Sequence, residues 1–292
     1  MGAVALRPKP VLRVAHVTDI HVKPTGKGPA GMRACLRHVH ALDPKPDLIL
    51  NGGDCIMDAL GATAAATQAQ WDLWKAILTA ECRIPMEHCI GNHDIWGWQK
   101  PKSGATGAEP LYGKAWALKE LALAAPYRAF DRAGWRFIVI DSVQDRGDGG
   151  YKPMLDEPQF EWLSARLAET PATMPVLILS HVPFVSVGPF YFTPNIVKDY
   201  KFLVPGALLH QDSVRIKDLL VKHPQVKLCL SGHTHLADRV EYAGLTFINN
   251  GAVSGSWWHG PVQETKPGYG VLDLYADGTF DHKYLTYEWD PA

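Results

Sequence analysis

An α/β architecture is expected for this chain, and three observations point to it. Short apolar runs alternate with stretches whose apolar residues recur at helical spacing. From residue 246 to 287 the helical pattern stops, and the sequence reads as strands and turns. Five of the apolar runs lead into Asp, Asn or His, the residue types that a ligand site at the carboxyl edge of a sheet requires.

The elements follow in order. Residues 11–17 are a short, mostly apolar run and predict a buried strand, with a helix over 32–42 behind it. Strands are predicted over 47–50 and 84–90, separated by a helix over 68–80. A helix over 111–125, a strand over 137–140 and a helix over 158–168 come next, and Pro158 suits a helix start. After a strand over 176–179, Asp212 is placed to cap a helix over 212–223. Runs at 226–230, 245–248 and 271–275 are the remaining strands. Such alternation builds βαβ units and a largely parallel sheet. The tail, with its turn at Ala276-Asp277-Gly278, is expected to add antiparallel strands to a second sheet. The chain reads as one domain over 1–292, with a catalytic core at about 11–250 and a strand-rich extension over 251–292. Two long irregular segments, 95–109 and 182–211, are rich in aromatic residues and predict packed lids.

Composition narrows the function. With 292 residues, 47% of them apolar, the chain has ample material for a large core. The net charge of -1 and scattered lysines and arginines give no nucleic-acid patch. No apolar run is long enough for a membrane segment. Cys35, Cys55, Cys82, Cys89 and Cys229 show no pairing pattern, which predicts free thiols in a reducing compartment. With the first strand beginning by Val11, no signal peptide fits ahead of it, and a cytoplasmic location is expected.

The chemistry sits at the run ends. Successive runs lead into Asp19-Ile20-His21, Asp54, Asn92-His93-Asp94, His181 and His233-Thr234-His235. In extended backbone the one-residue spacing of Asp19 and His21, and of His233 and His235, points each pair to one side. Gly52-Gly53, Gly91 and Gly232 permit tight turns and close backbone approach. Imidazole and carboxylate donors without thiolate suit Zn, Mn or Fe. Asp19 and Asp54 are the two carboxylates among the seven ligands Asp19, His21, Asp54, Asn92, His181, His233 and His235. They leave two divalent ions short of compensation by about two charges, which invites a phosphate and a hydroxide.

The ordered series D-x-H, G-D, G-N-H-D, H and G-H-x-H resembles the calcineurin-like metallophosphoesterases over residues 11–250. The resemblance implies a four-layer α/β/β/α sandwich with two mixed sheets. It also implies that Asp19, His21, Asp54 and His235 hold a first metal ion, with Asp54 bridging to a second held by Asn92, His181 and His233. His93 would contact phosphate and help protonate the leaving alcohol, with Asp94 orienting or charge-stabilising it, while metal-bound hydroxide attacks phosphorus. Met57 stands where purple acid phosphatases carry Tyr, and the arginine of the protein phosphatases is missing after Asp58. Thr18-Asp19-Ile20-His21 resembles the bacterial cyclic-nucleotide-phosphodiesterase-like branch.

Trp257, Trp258 or His259, with Phe190 and Tyr191, are expected to wall the substrate pocket by stacking, although a double Trp is more often core packing. His16, His38, His40, His88 and His223 read as ordinary histidines, and Asp141 as a cap or a support of the site. The expected function is two-metal hydrolysis of a small organic or nucleotide phosphodiester. A phosphomonoesterase and a non-enzymatic scaffold on the same fold are the alternatives.

Overall fold

The computed structural model describes residues 8–191 and 197–289. Residues 192–196 of the long segment 182–211 lie outside these, as do the first seven residues. The strands are β1 (Leu12–Val17), β2 (Leu48–Asn51), β3 (Met86–His88), β4 (Arg128–Arg132), β5 (Trp135–Val139), β6 (Val143–Asp145), β7 (Tyr151–Pro153) and β8 (Val176–Leu179). They continue as β9 (Val197–Lys198), β10 (Lys201–Phe202), β11 (Val226–Ser231), β12 (Asp238–Tyr242), β13 (Leu245–Asn249), β14 (Gly268–Leu274) and β15 (Phe280–Thr286). The helices are α1 (Gly28–Ala41), α2 (Ala64–Glu81), α3 (Lys100–Ser103), α4 (Lys114–Glu120), α5 (Glu157–Glu169) and α6 (Ser213–Leu220).

Two mixed sheets carry the fold. One runs β15-β14-β1-β2-β3 and the other β12-β13-β11-β8-β5-β4. Strands β1 to β3, and β5, β8 and β11, pair in parallel through helix-containing connections, as βαβ units demand, and β13 pairs in parallel with β11 after the intervening strand β12. The two-residue period of a strand sorts the side chains. Leu12, Val14, Leu48 and Leu50 share one buried cluster with Phe137, Leu177, Leu179, Leu228 and Leu230, so the sheets pack face to face. Ala15, Val17 and Ile49 point the other way, against Met32, Leu36 and Val39 of α1 and Trp71, Trp74 and Ile77 of α2. Ile138, Val176 and Ile178 likewise meet Leu163 and Leu167 of α5 and Ile216 and Leu220 of α6. The result is the four-layer α/β/β/α sandwich.

Four expectations need correction. The tail divides: β13 lies parallel in the second sheet, whereas β14 returns to the first and pairs antiparallel with β1, Val14 opposite Leu272. Strands β4 and β12 escaped the sequence reading because edge strands such as Arg128–Arg132 and Asp238–Tyr242 are polar and lack a continuous apolar run. The helix expected over 111–125 shrinks to α4. It starts after Gly113 and ends where Ala122 turns left-handed, with Leu123 N donating to Leu118 O at 2.8 Å. Asp212 stands at the start of α6 without capping it, and its carboxylate accepts instead from Leu155 N at 2.9 Å and pairs with His210.

Candidate metal centre

The carboxyl ends of β1, β2, β3, β8 and β11 converge on one spot between the sheets. Asp19 and His21 follow β1, Asp54 follows β2, Asn92 follows β3, His181 follows β8, and His233 and His235 follow β11. The side chains of Asp19, His21 and His181 are fully buried.

How the pairs come to face the centre differs from the extended backbone expected. Asp19, His21, Asp54, His233 and His235 all have positive φ, at 54°, 50°, 53°, 72° and 59°. Non-glycine residues in that region cost on the order of 1–3 kcal/mol each and persist only where the surroundings over-determine them. Here the loop after β1 is laddered onto the loop after β2: Asp19 N donates to Gly53 O at 3.0 Å, His21 N to Asp54 O at 3.0 Å and Val22 N to Cys55 O at 3.2 Å. The close approach requires glycine. A Cβ on Gly91 would lie 2.1 Å from Asp54 Oδ1, and one on Gly232 2.3 Å from Asp19 Oδ2.

Three of the four imidazoles are oriented by a bond on the outward nitrogen, whereas the outward Nδ1 of His21 is buried without a partner. His181 Nδ1 donates to Gly52 O at 2.9 Å, His235 Nδ1 to Gly255 O at 2.5 Å and His233 Nε2 to Ala207 O at 2.8 Å. Donation from one ring nitrogen leaves the other as a lone pair aimed inward. Those inward nitrogens crowd together, with His21 Nε2 3.1 Å from His235 Nε2 and His233 Nδ1 3.2 Å from His181 Nε2. Asn92 Oδ1 is 3.1 Å from His181 Nε2. Asp54 Oδ2 faces both groups, 3.2 Å from His181 Nε2 and 3.7 Å from His21 Nε2, while His93 N holds its Oδ1 at 2.8 Å. Asp19 Oδ2 accepts from Thr18 Oγ1 and His233 N, but its buried Oδ1 has no hydrogen-bond donor. A buried carboxylate oxygen without a donor, opposite lone pairs of imidazoles, is unfavourable unless a cation sits between them. Asp19, His21 and His235 form one group whose ligand atoms lie within 4.8 Å of one another, and Asp54, His181 and His233 form another. These residues fit two metal ions.

Without ions, protons take the place of a cation between these donors. Burial would raise Asp19 and Asp54, but the surrounding imidazoles hold both carboxyls well below the usual range. Burial works against a charged His181, yet Asp54 and Asp19 raise it to about 9. The same burial, with His181 beside it, lowers His233 to about 3.

Asp94 does not orient His93. Its carboxylate accepts from Cys55 N at 2.8 Å and from Asp54 N and Gly91 N at 2.9 Å each, with Ile56 N further off at 3.4 Å. It therefore clamps the loop after β2 to the loop after β3. Burial and the neighbouring Asp54 push it up to about 7, against the pull of those N–H groups. His93 is positioned by Met57 O, 2.7 Å from its Nδ1, and stands edge-on to His21 with ring centroids 4.7 Å apart. Two carboxylates lie near its ring, Asp58 with Oδ1 3.9 Å from Nδ1 and Asp54, which groups with His21 and His93 within 4.8 Å.

Residues 12–237 match the model of the calcineurin-like phosphoesterase family. The chain belongs to that family. It is 26% identical over 278 residues to a probable cyclic nucleotide phosphodiesterase of Synechococcus, covering 92% of this chain and 90% of that protein. It is 25% identical to the 3′,5′-cyclic adenosine monophosphate phosphodiesterase of Escherichia coli, covering 92% of this chain and 87% of the other. In fold it matches a dimetal phosphatase from Danio rerio with a TM-score of 0.66 at 16% identity, covering 94% of this chain and 96% of that one. This calcineurin-like phosphoesterase is accordingly a metal-dependent phosphoric ester hydrolase, and none of the helices among its described residues is long and apolar enough to cross a membrane.

The residues expected to wall the phosphoesterase's pocket fare unequally. Trp257, 37% exposed, lies against the centre, its ring 4.6 Å from that of His235 and 6.0 Å from that of His21. Trp258 is the core-packing member of the pair: it is buried, and its Nε1 donates to His21 O at 3.1 Å. Both line a cavity with His259 and Met57. Phe190 and Tyr191 do not line it. They sit in an exposed turn, Phe190 edge-on to Phe202 and Tyr191 O accepting from Gln263, because that segment folds outward. Asp141 pairs with Lys114 rather than supporting the centre. Two contributors went unread. Tyr151, on the short β6–β7 hairpin, brings its hydroxyl 3.5 Å from His233 Nε2, and Ala207 supplies the carbonyl that orients the same ring. Neither stands in a motif. Ser180, His210 and Asp212 line up like a charge relay, but Ser180 Oγ is buried and donates to Val182 O at 2.6 Å. The line braces the loop that carries His181.

Proposed function

We propose that Asp19, His21, Asp54 and His235 hold one metal ion, that Asn92, His181 and His233 complete a second, and that Asp54 bridges them. The substrate is a small phosphodiester, with a cyclic nucleotide favoured by the names of the curated relatives that span nine-tenths of the chain. The unpartnered Asp19 Oδ1 amid inward imidazole nitrogens is the observation that carries the metal assignment. Mn, Fe or Zn each suit a set of imidazole, carboxylate and amide donors. Bound there, the ions would supply Lewis acidity at phosphorus and lower the pKa of a water molecule.

The chain's own groups do the rest. Asn92 and His93 face the phosphate from the loop after β3. Because His93 Nδ1 is committed to Met57 O, its Nε2 is the atom left to deliver a proton to the leaving oxygen. The outward hydrogen bonds of His181, His233 and His235 hold their lone pairs in place, so the donors need no rearrangement during turnover.

The test is metal analysis with a panel of bis-nitrophenyl diester, nitrophenyl monoester and cyclic nucleotides, each with Mn, Fe and Zn. Two ions per chain and turnover of diesters are expected, and Asp54→Ala should lose both metal occupancy and activity. Protein holding two ions but turning over no ester with any metal would refute the reading.

A further inference from the structure

A cavity of about 400 Å³ opens beside the ligand cluster, a volume within the range of small-molecule pockets. Lys23, Lys27, Met57, Trp257, Trp258 and His259 are among its lining residues. Two of these tie it to the chemistry. Met57 carries the carbonyl that positions His93, and Trp257 stands against His235 and His21.

The two tryptophans divide the labour. Trp258 is seated where a side chain on α1 would collide with it, since a Cβ on Gly31 would lie 2.0 Å from its ring. With its indole also bonded to His21 O, Trp258 is an anchor. Trp257 and Trp258 both have positive φ, 47° and 71°. For consecutive bulky residues that is an outlier that the fold tolerates only with compensation. The loop's bonds over-determine it: Trp258 N donates to Ser254 O, His259 N to Ser256 O and Ser256 N to Gly260 O, each at 2.8 Å. The strained turn holds an indole partly open to solvent at the mouth of a metal site. An exposed aromatic ring fixed in this way suits stacking of a planar group, and Lys23 in the lining is a donor that matches ring nitrogen and carbonyl acceptors.

We propose that this cavity is the subsite for the planar base of a nucleotide ester, with Trp257 as its stacking wall. The proposal rests on the phosphodiesterase reading and names the part of the substrate that lies away from phosphorus. Stacking of a base on an aromatic side chain contributes about 1–3 kcal/mol, which corresponds to roughly a 5- to 150-fold gain in affinity.

The metal-loaded full chain tests it by binding, with adenosine monophosphate and ribose 5-phosphate as probes, since the second lacks the base. The wild type should bind the nucleotide at least about 10-fold more tightly. Trp257→Ala should bring the ratio close to one, and Trp257→Phe should keep most of it. Equal affinities in the wild type, or a ratio untouched by Trp257→Ala in protein with full metal content and unchanged melting, would overturn the subsite. The two readings separate in this design. Diester turnover with a ratio of one sinks the subsite alone, whereas a normal ratio without turnover of any ester upholds the subsite and sinks the phosphodiesterase.

Discussion

Replacing Asp94 by Asn separates two roles for a residue that the motif places next to His93, the proposed general acid. Asp94 accepts three backbone N–H groups within 2.9 Å, from Cys55, Asp54 and Gly91. A hydrogen bond to a buried charged acceptor contributes about 1.5–3 kcal/mol. Asparagine keeps one oxygen, so one side of the clamp would turn an NH₂ towards backbone N–H groups. That change loses one or two bonds and adds a donor–donor conflict, together about 3–5 kcal/mol. Removing a charge from beside Asp54 returns part of this, since that neighbour, after burial, is what pushes Asp94 upward. The net loss is roughly 2–4 kcal/mol, and for a chain of this size a melting temperature lower by about 5–10 °C. Melting of the metal-loaded and metal-stripped protein, with metal content and rates on diesters of good and poor leaving groups, gives the answer. A clamp predicts lower melting in both forms and weaker metal retention, with all substrates slowed alike. Unchanged melting and metal content, with a loss confined to poor leaving groups, would restore Asp94 to the role of orienting His93 and refute the clamp.

Two further outcomes follow from the geometry. His93→Asn should slow cyclic or alkyl diesters by about 10²–10⁴-fold and nitrophenyl diesters far less, because only the former need a proton on the leaving oxygen; equal losses on both would remove the general-acid role. In the metal-stripped chain, burial lowers His16 to about 3 despite the nearby Asp19, and its Nδ1 accepts from Asn250 Nδ2 at 2.7 Å. An unfolded histidine titrates near 6.5, so the unfolded state takes up the proton first; stability is fully present above that pH and is lost as pH falls from about 6.5 towards 3. His16→Gln should flatten the dependence of urea-unfolding free energy on pH below 6.5, and an unchanged slope would show that His16 is not the group responsible.

Much of the fold was legible because buried parallel strands are written as apolar runs. Val176–Leu179 is such a run, buried on both faces, and its boundaries could be read directly. Edge strands offer no such signal. Arg128–Arg132 is half-polar because one side of its pairing is missing, and its partner β5 lies far more deeply buried. The return of β14 to β1 was illegible for a different reason. Leu272 and Leu274 enter the cluster between the sheets, and nothing local in Gly268–Leu274 says from which sheet. That choice is made by the path of residues 250–267 across the site, where Val253 N donates to Thr18 O and Ser254 N to Asp19 O, at 2.9 and 3.2 Å.

At the site the division is sharper, and it lies between identity and conformation. Residue types at run ends disclosed which side chains meet, since metal chemistry restricts donors to a few types. Spacing alone misjudged how they meet. An x-separated pair in a strand shares a face, but Asp19 and His21 share theirs through two left-handed residues. That conformation is unfavourable for each residue taken singly, so no local propensity announces it. It is stabilised from outside, by Gly53 O and Asp54 O on the next loop and by Asp94 beneath that loop. Asp94 thus looks catalytic in a motif and structural in space: its place in the series follows from the need to hold the strained ligand loops in register, and the adjacency to His93 is a consequence of both residues sharing one turn. By the same logic Trp257, whose strain is compensated by a loop outside every motif, is the residue whose exposed ring still calls for a ligand.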